Sequence, residues 1–249
     1  MNTNGNTILI TGGGSGIGQA LAHRFHDQGN TVIIAGRRLA TLEAAAEGRP
    51  GIHPMVLDAD DGAAIAAFAA RVTAQFPALN VLVNNAGIMR AETLDAPRDL
   101  ADAEATITTN LLGPIRLTDA LIGHLIAQGD GVVVNVTSGL AFVPLVMTPT
   151  YSATKAALHS YTVSLRAALE GRVKVIELAP PAVQTELTPG QSTREGYLPL
   201  EEFADEVMTL LAQTPTPPEI LVQRVHPLRF AERDDRFASV MTMLNGQAH

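Results

Sequence analysis

Two residues of this chain have the types and the spacing to move a proton: Tyr151 and Lys155, in the run Tyr151-Ser152-Ala153-Thr154-Lys155. On a helix, an i,i+4 separation stacks two side chains on one face. A free phenol has a pKa near ~10 and is a poor proton exchanger at neutral pH. A neighbouring ammonium favours the phenolate and lowers that value, which brings exchange with an alcohol or carbonyl oxygen within reach. Lysine is scarce here, with two against 15 arginines, so its place at this spacing carries weight. Upstream, the β-branched run Val132–Thr137 ends at Ser138. A serine at the carboxyl end of a parallel strand faces the crevice where such sheets bind ligands, and its hydroxyl can bond a reacting oxygen.

A second constellation would hold an anion. Thr11-Gly12-Gly13-Gly14-Ser15-Gly16-Ile17-Gly18 follows a predicted strand and opens a predicted helix. Glycines let the backbone turn sharply and approach a pyrophosphate, and the helix N-terminus offers N–H groups and the positive end of its dipole. Gly12, Ser15, Gly16, Ile17 and Gly18 are therefore candidate cofactor-binding residues. The spacing G-x3-G-x-G departs from the G-x-G-x-x-G of the common dinucleotide fingerprint. At the end of the next strand an NAD site places an acid for the ribose 2′-OH. Here the chain reads Gly36-Arg37-Arg38 instead. With the acid absent and two planar donors present, the expected cofactor is NADP(H), with NAD(H) the less favoured alternative.

The elements that must position these residues alternate. Strands are predicted at Thr7–Thr11, Thr31–Ala35, His53–Leu57, Leu79–Val83, Val132–Thr137, Val173–Leu178 and Ile220–Gln223, with helical patterns over 16–28, 39–46, 61–76, 99–127, 150–170 and 200–213. Apolar strands alternating with Ala-rich helices predict an α/β fold, a single-domain Rossmann-type doubly wound parallel sheet of about seven strands with helices on both faces. No repeat or linker divides residues 1–249. Pro114 is expected to kink the 99–127 helix. The segment 185–200, with Pro189 and Gly190, is expected to form a substrate lid, and the tail after Pro215 has no clear pattern.

Composition excludes other classes. A net charge of −8 argues against nucleic acid or an anionic membrane as partner. No cysteine is present, so disulfides, thiol nucleophiles and Cys-ligated metals are out. His23 and His26 stand three apart without a partnering acid, so no metal site is expected. The polar start and the lack of an 18-residue apolar run predict a cytoplasmic protein.

Taken in order, T-G-G-G-S-G-I-G at 11–18, N-N-A-G at 84–87, T-T-N at 108–110, N-V-T-S at 135–138 and Y-S-A-T-K at 151–155 resemble the short-chain dehydrogenase/reductase family over nearly the whole chain. Further runs are similar to a subgroup of DltE-like oxidoreductases. The resemblance implies hydride transfer at the nicotinamide C4, with Tyr151 as acid/base and Ser138 polarising the carbonyl. It makes Lys155 the residue that lowers the tyrosine pKa and holds the nicotinamide ribose, and Asn110 the anchor of a proton-relaying water. It places Asp58 at the adenine and Arg37, with Arg38 beside it, at the 2′-phosphate. Asn84, Ala86 and Gly87 would lie along the cofactor, Asn84 and Gly87 at the adenosine ribose. Val183 and Thr185 would meet the carboxamide. Where the family usually has Pro-Gly, this chain has Pro180-Pro181, which predicts a stiffer wall one N–H donor poorer. The family's dimers imply a homodimer or homotetramer built on helices 99–127 and 150–170.

Leu140, Phe142, Val143, Leu145, Leu187, Tyr197 and Leu198 are expected to face the substrate, which points to a small or medium neutral ketone, aldehyde or secondary alcohol. Only Arg90 and Arg194 offer a basic clamp for an anionic one. The competing reading is a non-catalytic NADP(H)-binding regulator on the same fold. A Rossmann methyltransferase fits the Tyr–Lys pair poorly.

Overall fold

The computed structural model of the protein describes residues 1–246. Seven parallel strands form one sheet in the order β3-β2-β1-β4-β5-β6-β7. They are β1 (Thr7–Thr11), β2 (Thr31–Gly36), β3 (Ile52–Val56), β4 (Leu79–Asn84), β5 (Val132–Val136), β6 (Lys174–Leu178) and β7 (Glu219–Ile220). The strand order reverses between β1 and β4, and ligands of open α/β sheets bind in the crevice at such a switch point.

Alternation along β1 shows why both faces are covered. Ile8 and Ile10 join Val32, Ile34, Phe25 and Phe203 in one apolar cluster, whereas Leu9 joins Ile33, Leu82, Phe68 and Leu121 in the other. Successive strand side chains point to opposite faces, so a strand whose centre is apolar on both faces needs helices on both. The first face takes α1 (Gly16–Asp27), α2 (Leu39–Ala46) and α7 (Leu200–Leu211). The second takes α3 (Gly62–Gln75) and α5 (Gly113–Gln128), with Leu165 and Leu169 from α6 (Pro149–Ala168) and the residue after it.

Two elements differ most from the sequence expectation. The single helix expected over 99–127 is two, α4 (Ala101–Ile107) and α5, joined by a π-helical turn at Thr108–Leu112. Pro114 has no N–H for the carbonyl of Asn110 and its ring crowds that group, so the ladder widens there. β7 is two residues long rather than four: it is an edge strand held through Glu177↔Glu219 and Leu178↔Ile220. Beyond it the tail forms α8 (His226–Arg229) and α9 (Phe237–Gly246), which close a small cluster around Val143, Ala231 and Val240.

The segment expected as a lid is a loop pinned at its base, where Val183 bridges Leu198. Gln191 braces it from inside, donating from Nε2 to the Val183 carbonyl at 2.8 Å and the Thr185 hydroxyl at 3.2 Å. Among the described residues, no helix is long and apolar enough to cross a membrane.

Candidate active site

The carboxyl ends of the strands border a cleft that runs from Arg37 past the glycine turn to Tyr151. Its two adjoining cavities share Gly12, Ser15, Ala86, Gly87 and Ile88. The smaller, about 170 Å³, is walled by Gly36, Arg37, Arg38, Thr41, Asp58 and Asp60. The larger, about 700 Å³, holds Ser138, Tyr151, Lys155, Val183 and Thr185.

The glycine turn has the shape of a cradle. Gly12 and Gly16 have φ of +66° and +53°, a region that side-chain-bearing residues rarely adopt. A Cβ on Gly12 would come within 3.0 Å of Ala86, and one on Gly18 would collide with the Gly12 carbonyl. Gly18 therefore serves close packing of α1 against the turn, and it lines neither cavity. Ser15 precedes α1 without a side-chain cap bond, and no acid stands in the first turn, so the first N–H groups of α1 remain for an anion. These features fit a dinucleotide pyrophosphate.

At the far end, Arg37 and Arg38 both line the cavity. Asp60 was not anticipated: its carboxylate lies 3.8 Å from the Arg37 guanidinium. It comes from the loop after β3, which is adjacent in space through the sheet and not in sequence. Asp58 is present too, its carboxylate accepting the Asp60 N–H at 3.1 Å.

Asn84 corrects an expectation. Its amide points away from both cavities and donates to Thr118 Oγ1 at 3.0 Å and Asn135 Oδ1 at 2.8 Å. Asn84 ends β4 facing the α5 side, and alternation puts the next residue on the cleft side. Asn85 is that neighbour, its Nδ2 donating to the Thr11 carbonyl at 2.9 Å. Thr11 Oγ1 in turn accepts the N–H groups of Asn85 and Ala86, each at 3.0 Å, and so ties β1 to the loop after β4.

Around the reacting end, α6 carries Tyr151 and Lys155 a turn apart, both buried. Pro149 stands in the first turn of the helix, and Glu92 caps it, accepting the Thr150 N–H at 3.1 Å and its hydroxyl at 2.8 Å. Lys155 Nζ donates to the Val136 carbonyl at 2.8 Å and lies 5.6 Å from the centre of the Tyr151 ring. Burial pushes the Tyr151 phenol up to about 12, opposed by hydrogen bonding from Ser138, and brings the Lys155 ammonium down to about 8. The phenol is thus raised and not lowered as the resemblance implied, because desolvation of the buried side chain is the largest influence on it. Ser138 Oγ accepts the Leu140 N–H at 3.1 Å, which leaves its own proton to donate.

Asn110 is fully buried, with its side chain committed to structure. Its Oδ1 accepts the Ile88 N–H and its Nδ2 donates to the Ile88 carbonyl, both at 2.8 Å, with Thr154 Oγ1 at 3.4 Å. The side chain thus staples the loop carrying Gly87 to the helix carrying Lys155, and any water anchored by this residue would have to use its main chain.

Of the residues expected at the substrate, Leu145, Leu187 and Tyr197 line the cleft, joined by Met89, Arg90, Met147 and Arg194. Val143 and Leu198 are core, and Phe142 packs against His159, with its ring 4.7 Å from the Arg229 guanidinium. The 3₁₀ turn Gly139–Ala141 after Ser138 rotates the chain, so strand-like alternation does not continue there. Pro180 and Pro181 both border the cleft.

Comparison with known proteins agrees with this geometry. A family model for short chain dehydrogenases matches residues 6–196. The Bacillus subtilis oxidoreductase DltE, itself uncharacterized, is 39% identical over 241 residues, covering 94% of this chain and 95% of that one. A serine 3-dehydrogenase of Agrobacterium fabrum is 40% identical over 185 residues, 73% of this chain and 74% of its own. The structure of a short chain dehydrogenase from Burkholderia cenocepacia in complex with NADP superposes with a TM-score of 0.84 at 25% identity, covering 98% of this chain and 99% of that one. The chain belongs to the short-chain dehydrogenase family of oxidoreductases.

Proposed function

We propose that the protein transfers a hydride between NADP(H) and a ketone or aldehyde and its alcohol, with Tyr151 as the proton donor and acceptor. The observation that carries this reading is the convergence of Ser138, Tyr151 and Lys155 at one end of a cleft whose other end bears Gly36, Arg37 and Arg38. The NADP complex of the Burkholderia relative supports the cofactor.

Arg37, Arg38 and the start of α1 would hold the dinucleotide, with Ile17, Val183 and Thr185 beside the nicotinamide. When bound, the nicotinamide supplies or accepts the hydride. Ser138 donates its free hydroxyl proton to the carbonyl oxygen and fixes it beside the phenol. Tyr151, held neutral by burial, gives its proton to that oxygen as the carbonyl carbon gains the hydride. The Lys155 ammonium stabilises the phenolate left behind. Asn110 positions both by holding the Ile88 loop against α6.

The substrate in this reading is small to medium and neutral, set against Leu145, Met147, Leu187 and Tyr197. A small hydroxy acid is the second reading, favoured by Arg90 and Arg194 on the same wall and by the serine 3-dehydrogenase relative. Arg90 already faces Asp102 at 3.8 Å, and Arg194 stacks on Tyr197 at 5.2 Å, which favours the neutral class. Exposed Ile107 and Val163 on α4 and α6 suit the self-association expected of those helices.

The test is absorbance at the reduced-nicotinamide band with NADPH or NADH and a panel of neutral and acidic carbonyls. Oxidation of NADPH by neutral carbonyls is expected. Tight NADPH binding without turnover of any substrate would favour the regulator instead.

A further inference from the structure

The segment that follows Ser138 forms one wall of the cleft through Leu145, Met147 and Thr148. This wall has little regular structure of its own: after the turn at 139–141 it runs irregularly to the start of α6. Its backbone groups are held from three directions. From α6, Ser152 Oγ accepts the Leu145 N–H at 3.2 Å. From the loop after β4, the Glu92 N–H donates to the Met147 carbonyl at 2.9 Å. The third tie comes from the far end of the chain. Asn245, on α9, accepts the Val146 N–H on Oδ1 at 2.7 Å and donates from Nδ2 to the Pro144 carbonyl at 3.2 Å.

Those two bonds bracket Leu145. One side-chain amide engages the carbonyl before it and the N–H after it, as a neighbouring β-strand would. The apolar contacts under the bracket have the same origin. Val143 is fully buried against Ala231 and Val240, with Leu228, Met241 and Leu244 packed around them. A Cβ on Gly139 would come within 2.6 Å of Leu228 Cδ1, so the tail sits directly on the turn after Ser138. The family model ends at residue 196, upstream of both tail helices.

We propose that α9 sets the substrate selectivity of the cleft through Asn245, a positioning residue that fixes Leu145 against the substrate. This rests on the oxidoreductase reading above. Asn245 touches neither cavity and does not take part in proton or hydride transfer. Its loss frees the wall, so bulky and compact carbonyls are discriminated less, while Ser138, Tyr151 and Lys155 keep their places.

Asn245→Ala is compared with the wild type, with Asn245→Asp, which keeps the acceptor for Val146 but loses the donor for Pro144, and with the exposed control Thr242→Ala. Amide exchange followed by mass spectrometry reads the wall, and steady-state kinetics on the carbonyl panel with NADPH reads the cleft. Asn245→Ala should speed exchange over 143–148 roughly tenfold. It should raise KM for the preferred carbonyl roughly three- to tenfold with kcat within about twofold and NADPH affinity unchanged. Asn245→Asp should fall between, and Thr242→Ala should match the wild type. Unchanged exchange at 143–148 overturns the proposal, and so does faster exchange with wild-type KM values and the wild-type order of preference. If the wild type turns over no carbonyl, the oxidoreductase reading fails and the selectivity claim with it. Turnover with unaltered selectivity sinks only the claim for Asn245.

Discussion

His159 lies one helical turn beyond Lys155, and its Nδ1 donates to Glu177 Oε2 at 2.8 Å, a carboxylate with no exposed surface. The other carboxylate oxygen accepts the Thr137 hydroxyl at 2.7 Å, and Thr137 stands between Val136, which receives Lys155, and Ser138. A polar layer therefore underlies the reacting groups. Glu177 raises the His159 pKa, as Glu219 also does, while Arg229 lowers it.

The sign of the resulting pH dependence follows from that shift. A histidine whose folded pKa is raised contributes stability that is fully present below the unfolded value, near ~6.5, and is lost as pH rises through the folded value. His159→Gln should lower stability by about 2 kcal/mol at pH 6 and by less at pH 9. Urea unfolding at the two pH values checks this, and an equal loss at both would mean that the pair is not ionic.

Tyr151→Phe should reduce turnover by about 10³-fold or more and leave NADPH affinity within roughly twofold. In the proposed reaction this hydroxyl is the group that passes its proton to the substrate oxygen. Kinetics and a binding titration on the same preparation separate the two effects. A large loss of NADPH binding would make Tyr151 structural.

Burial brings the Lys155 ammonium down to about 8 and pushes the Tyr151 phenol up to about 12. In the proposed carbonyl reduction the phenol is thus already in its donating form, and the group that changes near neutrality is the ammonium. kcat/KM for reduction should fall as pH rises above about 8, with no second limb until strongly basic pH. A rate rising through pH 8 to 10 would contradict this assignment.

Arg37→Ala should weaken NADPH roughly tenfold and NADH by far less, since a guanidinium is worth most against a phosphate. Asp60, 3.8 Å away, already shares that charge, so Asp60→Asn should strengthen NADPH binding. Paired titrations of both nucleotides decide it, and equal losses for NADPH and NADH in Arg37→Ala would sink the 2′-phosphate assignment.

Glu92→Gln should cost about 1.5 kcal/mol, lowering Tm by about 3–6 °C, with little change in kcat. The carboxylate bonds to Thr150 at the start of α6 and pairs with Arg98 at 2.8 Å, and these partners hold its pKa below the ordinary glutamate value. Its contribution is present above the unfolded pKa, near ~4.3, and is lost as pH falls through the lower folded value. The gap between wild type and variant in thermal melts should therefore narrow toward acid pH.

Local rules sufficed for much of this molecule. Strands that are mainly apolar on both faces demand a sheet covered twice, and the glycine run between β1 and α1 admits few backbones. The i,i+4 spacing of Tyr151 and Lys155 works on any helix, so that pair was legible from type and distance alone. Parity and long-range contact were not. Whether Asn84 or Asn85 faces the cleft turns on where β4 ends, a one-residue matter that flips a side chain through the sheet. Asp60 meets Arg37 because β2 and β3 pair side by side and bring the loops at their carboxyl ends together, and Glu177 meets His159 because α6 packs against β6. Asn110 carries a family motif, yet its side chain is spent on Ile88, which only the packed π-turn determines. Asn245 lies about a hundred residues from the wall it holds, with no pattern near it to mark it. Sequence by itself determined which residues have the chemistry. The tertiary structure decided which of them meet, because side-chain reach is a few ångströms and chain separation says nothing about it.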